Sequence, residues 1–515
     1  MLLLLSIICF LLAVGVRIYP ILAYSEFLGS DRDFHFFLID YLRHNNHKVP
    51  VHYERALGPV TLCNYPSFYH ILLSYFSSTV VKLVDKYFAL LYDTIAGTLA
   101  FWVYAEYYAH GWDWGLYLMS LGLFIVSPTL TFIYTGPRAY TLTPRNFSQL
   151  LFFFVALCVV LWDFKFFSDP FDFIVAALAS VSLITLILSS WFGVQKLFFS
   201  VIIYTLFTFD FSYAIYMLIA LIWLFVFIPG FTKRTVGGGF SNMKFCHLYL
   251  RSIFRNPSFK LFFQYVSEGR VHDAFYFMII HRDVLAIFKT LDFWAIFVTL
   301  FFTSFTFFDG SLSSKISALT LSGAIAFGLT MFPLLKILGE PQRYLEFVYP
   351  LIWILFLPIL EIPFVMVGAA VVFALYMLIN LKYIKDIESW GSSAQKLRDL
   401  ADVLSGVSDN PENAFLPINT HDARNLYGLC QGKVYCHVFI FGDVKEASPE
   451  ELDAYVLFPY LHSSRVKPIC EKYNINYVIC HKPSLNYVFK EFSTVYHFDS
   501  FERVKENSSY ILYKV

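Results

Sequence analysis

The chain has 515 residues, of which 58% are hydrophobic, 20% aromatic and 15% charged, with a mean hydropathy of +0.60. That balance excludes an ordinary soluble enzyme and reads as a multi-pass membrane protein. The 38 basic and 38 acidic residues cancel, so no global field points to nucleic acid or an acidic partner.

The eight cysteines are dispersed without a CxxC pair, which supports neither a structural zinc site nor a redox motif. Cys430, Cys436, Cys470 and Cys480 are candidates for disulfides if their domain lies outside the cytoplasm.

The opening "MLLLLSIICFLLAVGVRIYPILAY" has the length of one spanning helix and lacks a small-residue cleavage site, so it reads as an uncleaved anchor with a cytoplasmic N-terminus. A polar stretch, 25–66, carries "GSDRDFHFFLID" at 29–40. The run at 67–84 is aromatic-rich and interrupted by Ser74, Ser77 and Ser78, and is expected to lie in the outer interface as one helix. Ten further apolar runs follow, among them 88–108, 146–164, 291–308, 345–360 and 363–383, which with the anchor give about 11 transmembrane helices.

Near Lys382 the character changes. "KDIESWGSSAQKLRDLADVLSG" is polar and helical, and "KVYCHVFIFG", "INYVICH" and "YILYKV" are β-rich. The expected organisation is a transmembrane domain over 1–384 and a small soluble α/β domain over 385–515, outside the cytoplasm because the span count is odd. The segment from Thr232 to Lys289 is strongly basic, which by the positive-inside rule places it in the cytoplasm. The preferred reading instead puts 25–87, 133–145, 191–195, 230–290 and 337–344 on one outer face, with the basic residues serving lipid phosphates.

Three stretches then carry the chemistry: "GSDRDFH", "TGPRAYTLTPRNF" at 135–147, and "GEPQRYLEFVYP" at 339–350. Taken alone, Arg138 and Arg145 read as snorkelling or topology-setting residues. Arg343 is grouped with Glu340, Tyr344 and Glu346 beside Pro341 and Pro350, which reads as a broken helix end lining a cavity. One carboxylate to deprotonate an acceptor and arginines to stabilise a departing phosphate suffice for sugar transfer from a lipid phosphate. A glycosidase would want two carboxylates working as a pair.

With "GSDRDFHFFLIDYLRHNNHKVP" followed by "NYPSFYHILLSYF", the sequence resembles the GT-C membrane glycosyltransferases, which use polyprenyl-linked sugars. "SPTLTFIYTGPRAYTLTPRNFSQLL" resembles their second outer loop, "GEPQRYLEFVYP" their late arginine-tyrosine loop, and "YILYKV" the closing strand of their outer domain. The resemblance implies a GT-C fold and an inverting transferase working outside the cytoplasm. Its donor would be a polyprenyl phosphate or diphosphate sugar, and its acceptor a hydroxyl or amide on a protein, glycan or glycolipid, in contact with membrane lipid. By the Gly-Ser-Asp context the catalytic base falls on Asp31, with Asp33 as the rival. The donor phosphate falls to Arg343, with Arg138 and Arg145 in the second outer loop.

His35 lies at i, i+4 from Asp31 and reads as packing or site support. Tyr65 starts the following helix, and His70 faces either the acceptor or headgroups; these three, with Glu340 and Tyr344, are the candidate substrate-binding residues. The second outer loop holds no acid, and the Trp-Trp-Asp-Tyr-Gly motif of oligosaccharyltransferases is missing. A metal-independent transferase of single sugars, like protein O-mannosyltransferases or lipid A aminoarabinose transferases, is therefore expected. The alternative, a transporter or flippase of lipid-linked glycans, would place charges or breaks within spans.

Overall fold

The computed structural model describes residues 2–23, 30–58, 65–126, 143–162, 170–249, 264–271, 311–331, 342–360, 392–419, 422–435, 460–492 and 494–515, with isolated positions between 273 and 454. The chain forms two compact units. The first takes Met1–Leu28, Thr79–Pro229 and Asn256–Ile387, and the second takes Gly29–Ser78, Gly230–Arg255 and Glu388–Val515.

The first unit is a helical bundle. Leu2–Ala23 packs on Trp114–Val126, Pro144–Leu161 on Pro170–Ser189, and Leu312–Met331 on both Trp191–Thr208 and Gln342–Leu360. Six helices among the described residues are long and apolar enough to cross a membrane, or up to seven if the bent pair Ser212–Phe227 and Pro229–Phe240 is one span. The expected spans at 291–308 and 363–383 lie wholly or largely outside the described residues.

Helix starts follow local chemistry. Ser190 caps Trp191–Thr208 by accepting from the Gly193 amide, and Asp210 accepts from the Ser212 amide at 2.8 Å. Helices approach closely at small residues. A Cβ on Gly323 would collide with both methyls of Val348 and come within 3.2 Å of the Tyr344 carbonyl.

Three expectations change. The run at 67–84 is not one helix: it breaks at 75–77 into Phe68–Ser74 and the start of Ser78–Tyr107. Seven residues rise only about 10 Å, a third of a bilayer core, so the first piece is not a span. Part of the basic segment is no loop either, since Pro229–Tyr249 is helical. Pro350 does not mark a helix end: Gln342–Leu360 runs through both Pro350 and Pro358. In a bundle, neighbouring groups satisfy the carbonyls that proline frees.

The second unit is built on a six-stranded sheet of order β1-β3-β2-β4-β6-β5. Its strands are β1 (Ala56–Leu57), β2 (Ala414–Pro417), β3 (Lys433–Tyr435), β4 (Tyr477–His481), β5 (Glu502–Glu506) and β6 (Tyr510–Lys514). β1, β3, β2 and β4 pair parallel in that order, and β6 pairs antiparallel with both β4 and β5. Their buried-on-both-faces residues are the β-rich runs of the sequence, as in Val478, Ile479 and Cys480.

β1 comes from the first polar stretch and pairs Ala56 with Val434. Helix Ser30–His44 sends Phe34, Phe37 and Leu38, at helical spacing, into the core formed with Leu400, Phe415, Ala423 and Tyr427. The second unit therefore joins Gly29–Ser78 and Gly230–Arg255 to Glu388–Val515, rather than the last segment standing by itself. Cys430 in this core, and Cys470 and Cys480 in a second core with Leu416, Ile469 and Val478, are free thiols, each raised by burial, Cys430 to about 11 and Cys470 to about 12. The disulfide expectation fails for these three.

Candidate functional site

Chemistry-bearing residues gather at one place in each unit. In the second unit, Ser30–His44 carries Asp31 and Asp33 in its first turn. The backbones of both are helical, and their side chains lie outside the described residues. One turn further on, His35 is 7% exposed, and its Nδ1 lies 2.9 Å from Nε2 of the fully buried His70.

The two imidazoles are near-parallel, with centroids 5.1 Å apart. Tyr65 closes the group edge-on to His70 at 5.6 Å and lies 6.5 Å from His35. Burial, reinforced by His35, holds His70 well below the ordinary histidine range, so it is neutral at pH 7. Among the described residues, its Nδ1 has no hydrogen-bond partner.

The same two helices are tied at their other end. Arg43 donates to the Phe76 carbonyl at 2.8 Å, and His47 Nδ1 lies 2.7 Å from Ser74 Oγ. Asn46 and His47 adopt left-handed φ values of 50° and 60° to turn the chain there. Thus three of the predicted residues, His35, Tyr65 and His70, do come together, beside the turn that carries Asp31 and Asp33.

In the first unit the second constellation forms where Pro144–Leu161 and Gln342–Leu360 begin side by side. Gln149 Nε2 donates to the Glu346 carbonyl at 2.6 Å. Arg145 is one turn before Gln149, and Arg343 is about one turn before Glu346, so each arginine position lies in the first turn of its helix. The Arg145 guanidinium sits 5.4 Å over the Phe192 ring. Buried Tyr344 directs its hydroxyl to Gln195 Oε1 at 3.5 Å and meets Phe199 edge-on at 5.5 Å. The Arg343 side chain, and all of Arg138 and Glu340, lie outside the described residues.

Each of the two helices carries an arginine position in its first turn, where the partial positive charge of a helix N-terminus favours anions. Gln149, Phe192 and Gln195 were not predicted. The available signal was Gln149 itself, a buried amide four residues after Arg145 in an otherwise apolar helix. Among the described residues, no three His, Cys, Asp or Glu side chains come together as a metal site would require.

Charges inside the spans were also missed. Arg17, fully enclosed, pairs with Asp93 at 2.8 Å and donates to the Ile125 carbonyl at 2.7 Å. Lys196, also fully enclosed, donates to Ser322 Oγ at 2.8 Å.

No protein-family model and no curated protein matches the sequence. Solved structures do. The Archaeoglobus fulgidus oligosaccharyltransferase in complex with Zn and sulfate aligns at a TM-score of 0.56 and 13% identity, over 95% of this chain and 69% of that one. The archaeal oligosaccharyltransferase AglB of the same organism, with an inhibitory peptide and a dolichol-phosphate, gives 0.55 and 12%, over 93% and 69%. ArnT from Cupriavidus metallidurans in the apo state gives 0.51 and 11%, over 95% and 94%. The chain therefore has the GT-C membrane fold with a small C-terminal sheet region.

Proposed function

We propose that this GT-C chain is an integral-membrane glycosyltransferase that moves a sugar from a polyprenyl phosphate or diphosphate to an acceptor hydroxyl or amide on the extracytoplasmic face, with inversion. The observation that carries the reading is the Gln149–Glu346 hydrogen bond between Pro144–Leu161 and Gln342–Leu360, one turn after Arg145 in the first helix and about one turn after Arg343 in the second. A phosphate leaving group needs positive charge more than it needs a proton. The likeness to a protein solved with a dolichol-phosphate and a peptide supports a lipid-linked donor and a protein acceptor.

In the reaction, Asp31 takes the acceptor proton as the new bond forms at the anomeric carbon. The bond from that carbon to the phosphate oxygen breaks, and the electron pair stays on the phosphate. Arg343 grips those oxygens in a bidentate fork that lysine cannot copy. Tyr344 belongs to the same helix turn and Glu340 to the stretch before it. Metal independence is proposed from the acid-free stretch 135–147.

The test is transfer of radiolabelled sugar from polyprenyl phosphate by the purified protein. Asp31→Asn is expected to lower the rate at least about 100-fold, the worth of a general base. Asp33→Asn retains activity, Arg343→Lys loses it, and a chelator leaves it unchanged. Full activity in Asp31→Asn removes that residue as base, and loss on chelation overturns the metal-free mechanism.

The transporter reading draws on one observation, the charges inside the spans. Their partners argue against it: Arg17 is bonded to Asp93 and a carbonyl, and Lys196 to a serine, as structural pins are.

A further inference from the structure

Between His35 Nδ1 and His70 Nε2, 2.9 Å apart, there is room for one proton, and the surroundings decide who carries it. If His35 donates, His70 must hold its own proton on Nδ1, which is buried and has no acceptor among the described residues. An orphaned buried N–H is the costly kind of unsatisfied group. If His70 donates from Nε2, its Nδ1 is only a lone pair, and His35 carries its proton on Nε2. A cationic His35 recreates the orphan, because it would donate from Nδ1. The arrangement therefore selects one tautomer for both rings.

On Ser30–His44, Asp31 precedes His35 by four residues and Asp33 by two. Positions i and i+4 share a helix face, whereas i and i+2 do not. We propose that His70 and His35 form a tautomer lock, in which His70 Nε2–H donates to His35 Nδ1 and leaves His35 one donor, Nε2–H, on a helix whose i, i+4 face joins position 35 to position 31 and not to position 33. This rests on Asp31 being the base. A donor on that face favours an ionised carboxylate at position 31 over one at position 33.

The titratable groups on the elements packed against Ser30–His44 are Tyr69 and His70 of Phe68–Ser74 and Asp422, Arg424 and Tyr427 of Asp422–Leu429, with Tyr65 beside His35 and Asp422 ion-paired to Lys396 at 2.8 Å.

Two experiments test the lock. Nitrogen-15 NMR of the full-length, histidine-labelled protein in detergent, with His35 and His70 assigned by single substitution, should find both rings protonated on Nε2 at pH 7.5. A proton on Nδ1 of either ring overturns the proposal without reference to activity. In the transfer assay, His70→Leu should raise the acidic limb of the pH profile by about one unit. It should lower kcat about tenfold, as loss of a supporting hydrogen bond does, while the donor KM stays within about twofold. His70→Gln, whose amide N–H can replace Nε2–H, should restore the limb. An unmoved limb in an active His70→Leu enzyme overturns the positioning role. Nε2 protonation on both rings together with an active Asp31→Asn enzyme would instead fault the base and leave the lock standing.

Discussion

Arg17 lies within the apolar helix Leu2–Ala23, and its guanidinium reaches Asp93 of Ser78–Tyr107 and the Ile125 carbonyl of Trp114–Val126. One residue thereby fastens three helices. Removing half of a buried ion pair strands the other charge, so Arg17→Met is expected to cost about 3–5 kcal/mol of stability. The double variant Arg17→Met, Asp93→Leu should recover most of it, as thermal unfolding in detergent would reveal; equal losses in both variants would contradict a paired role. In the sequence Arg17 is an interruption in an anchor, and nothing marks Asp93, 76 residues away, as its partner. His35 and His70 were each conspicuous beside the charged stretch, yet only folding shows that they share a proton. Local pattern names chemically able residues, and pairings across helices are invisible to it.

At the scale of elements, the legible features were those with a strong period or a strong composition. The anchor, the polar helix at 392–404 and the strands at 477–481 and 510–514 stand where the sequence put them. The element misread was Gln342–Leu360, because proline normally ends a helix and here it does not. That helix is seated by Gly323 on its neighbour, where a methyl group has no room, while Gly328 five residues on has open space. Gly323→Ala should destabilise the protein by about 1–3 kcal/mol through overpacking. Gly328→Ala should be neutral or slightly stabilising, since alanine favours helix. Melting curves of the two variants side by side check this, and equal behaviour would show that the crossing is not close-packed. Because Arg343 is the second residue of the displaced helix, Gly323→Ala should also weaken donor binding.

For the whole molecule, the change of character near residue 385 was readable from composition, but the folding units were not. The segment 29–78 looks like a loop of the membrane part, and only tertiary packing recruits it to the C-terminal core, where Phe37 stacks on Tyr427 at 4.5 Å and Arg55 donates to the Gly432 carbonyl. A chain stopped after Ile387 should therefore lose order in 30–58 as well, seen as rapid hydrogen exchange there, with transfer abolished. Retained protection in 30–58 would show that the segment folds alone.

The β1 pairing also orders events during synthesis. Arg55 and its partner Gly432 are separated by 377 residues, so at 5–20 residues per second the ribosome needs about 20–80 s to deliver the second after the first. Through that interval the helix bearing the proposed base has its apolar face unburied and its edge strand unpaired. The topology makes the second unit complete only after Gly432 is delivered, and makes Phe34, Phe37 and Leu38 an early demand on whatever chaperones attend the chain's emergence.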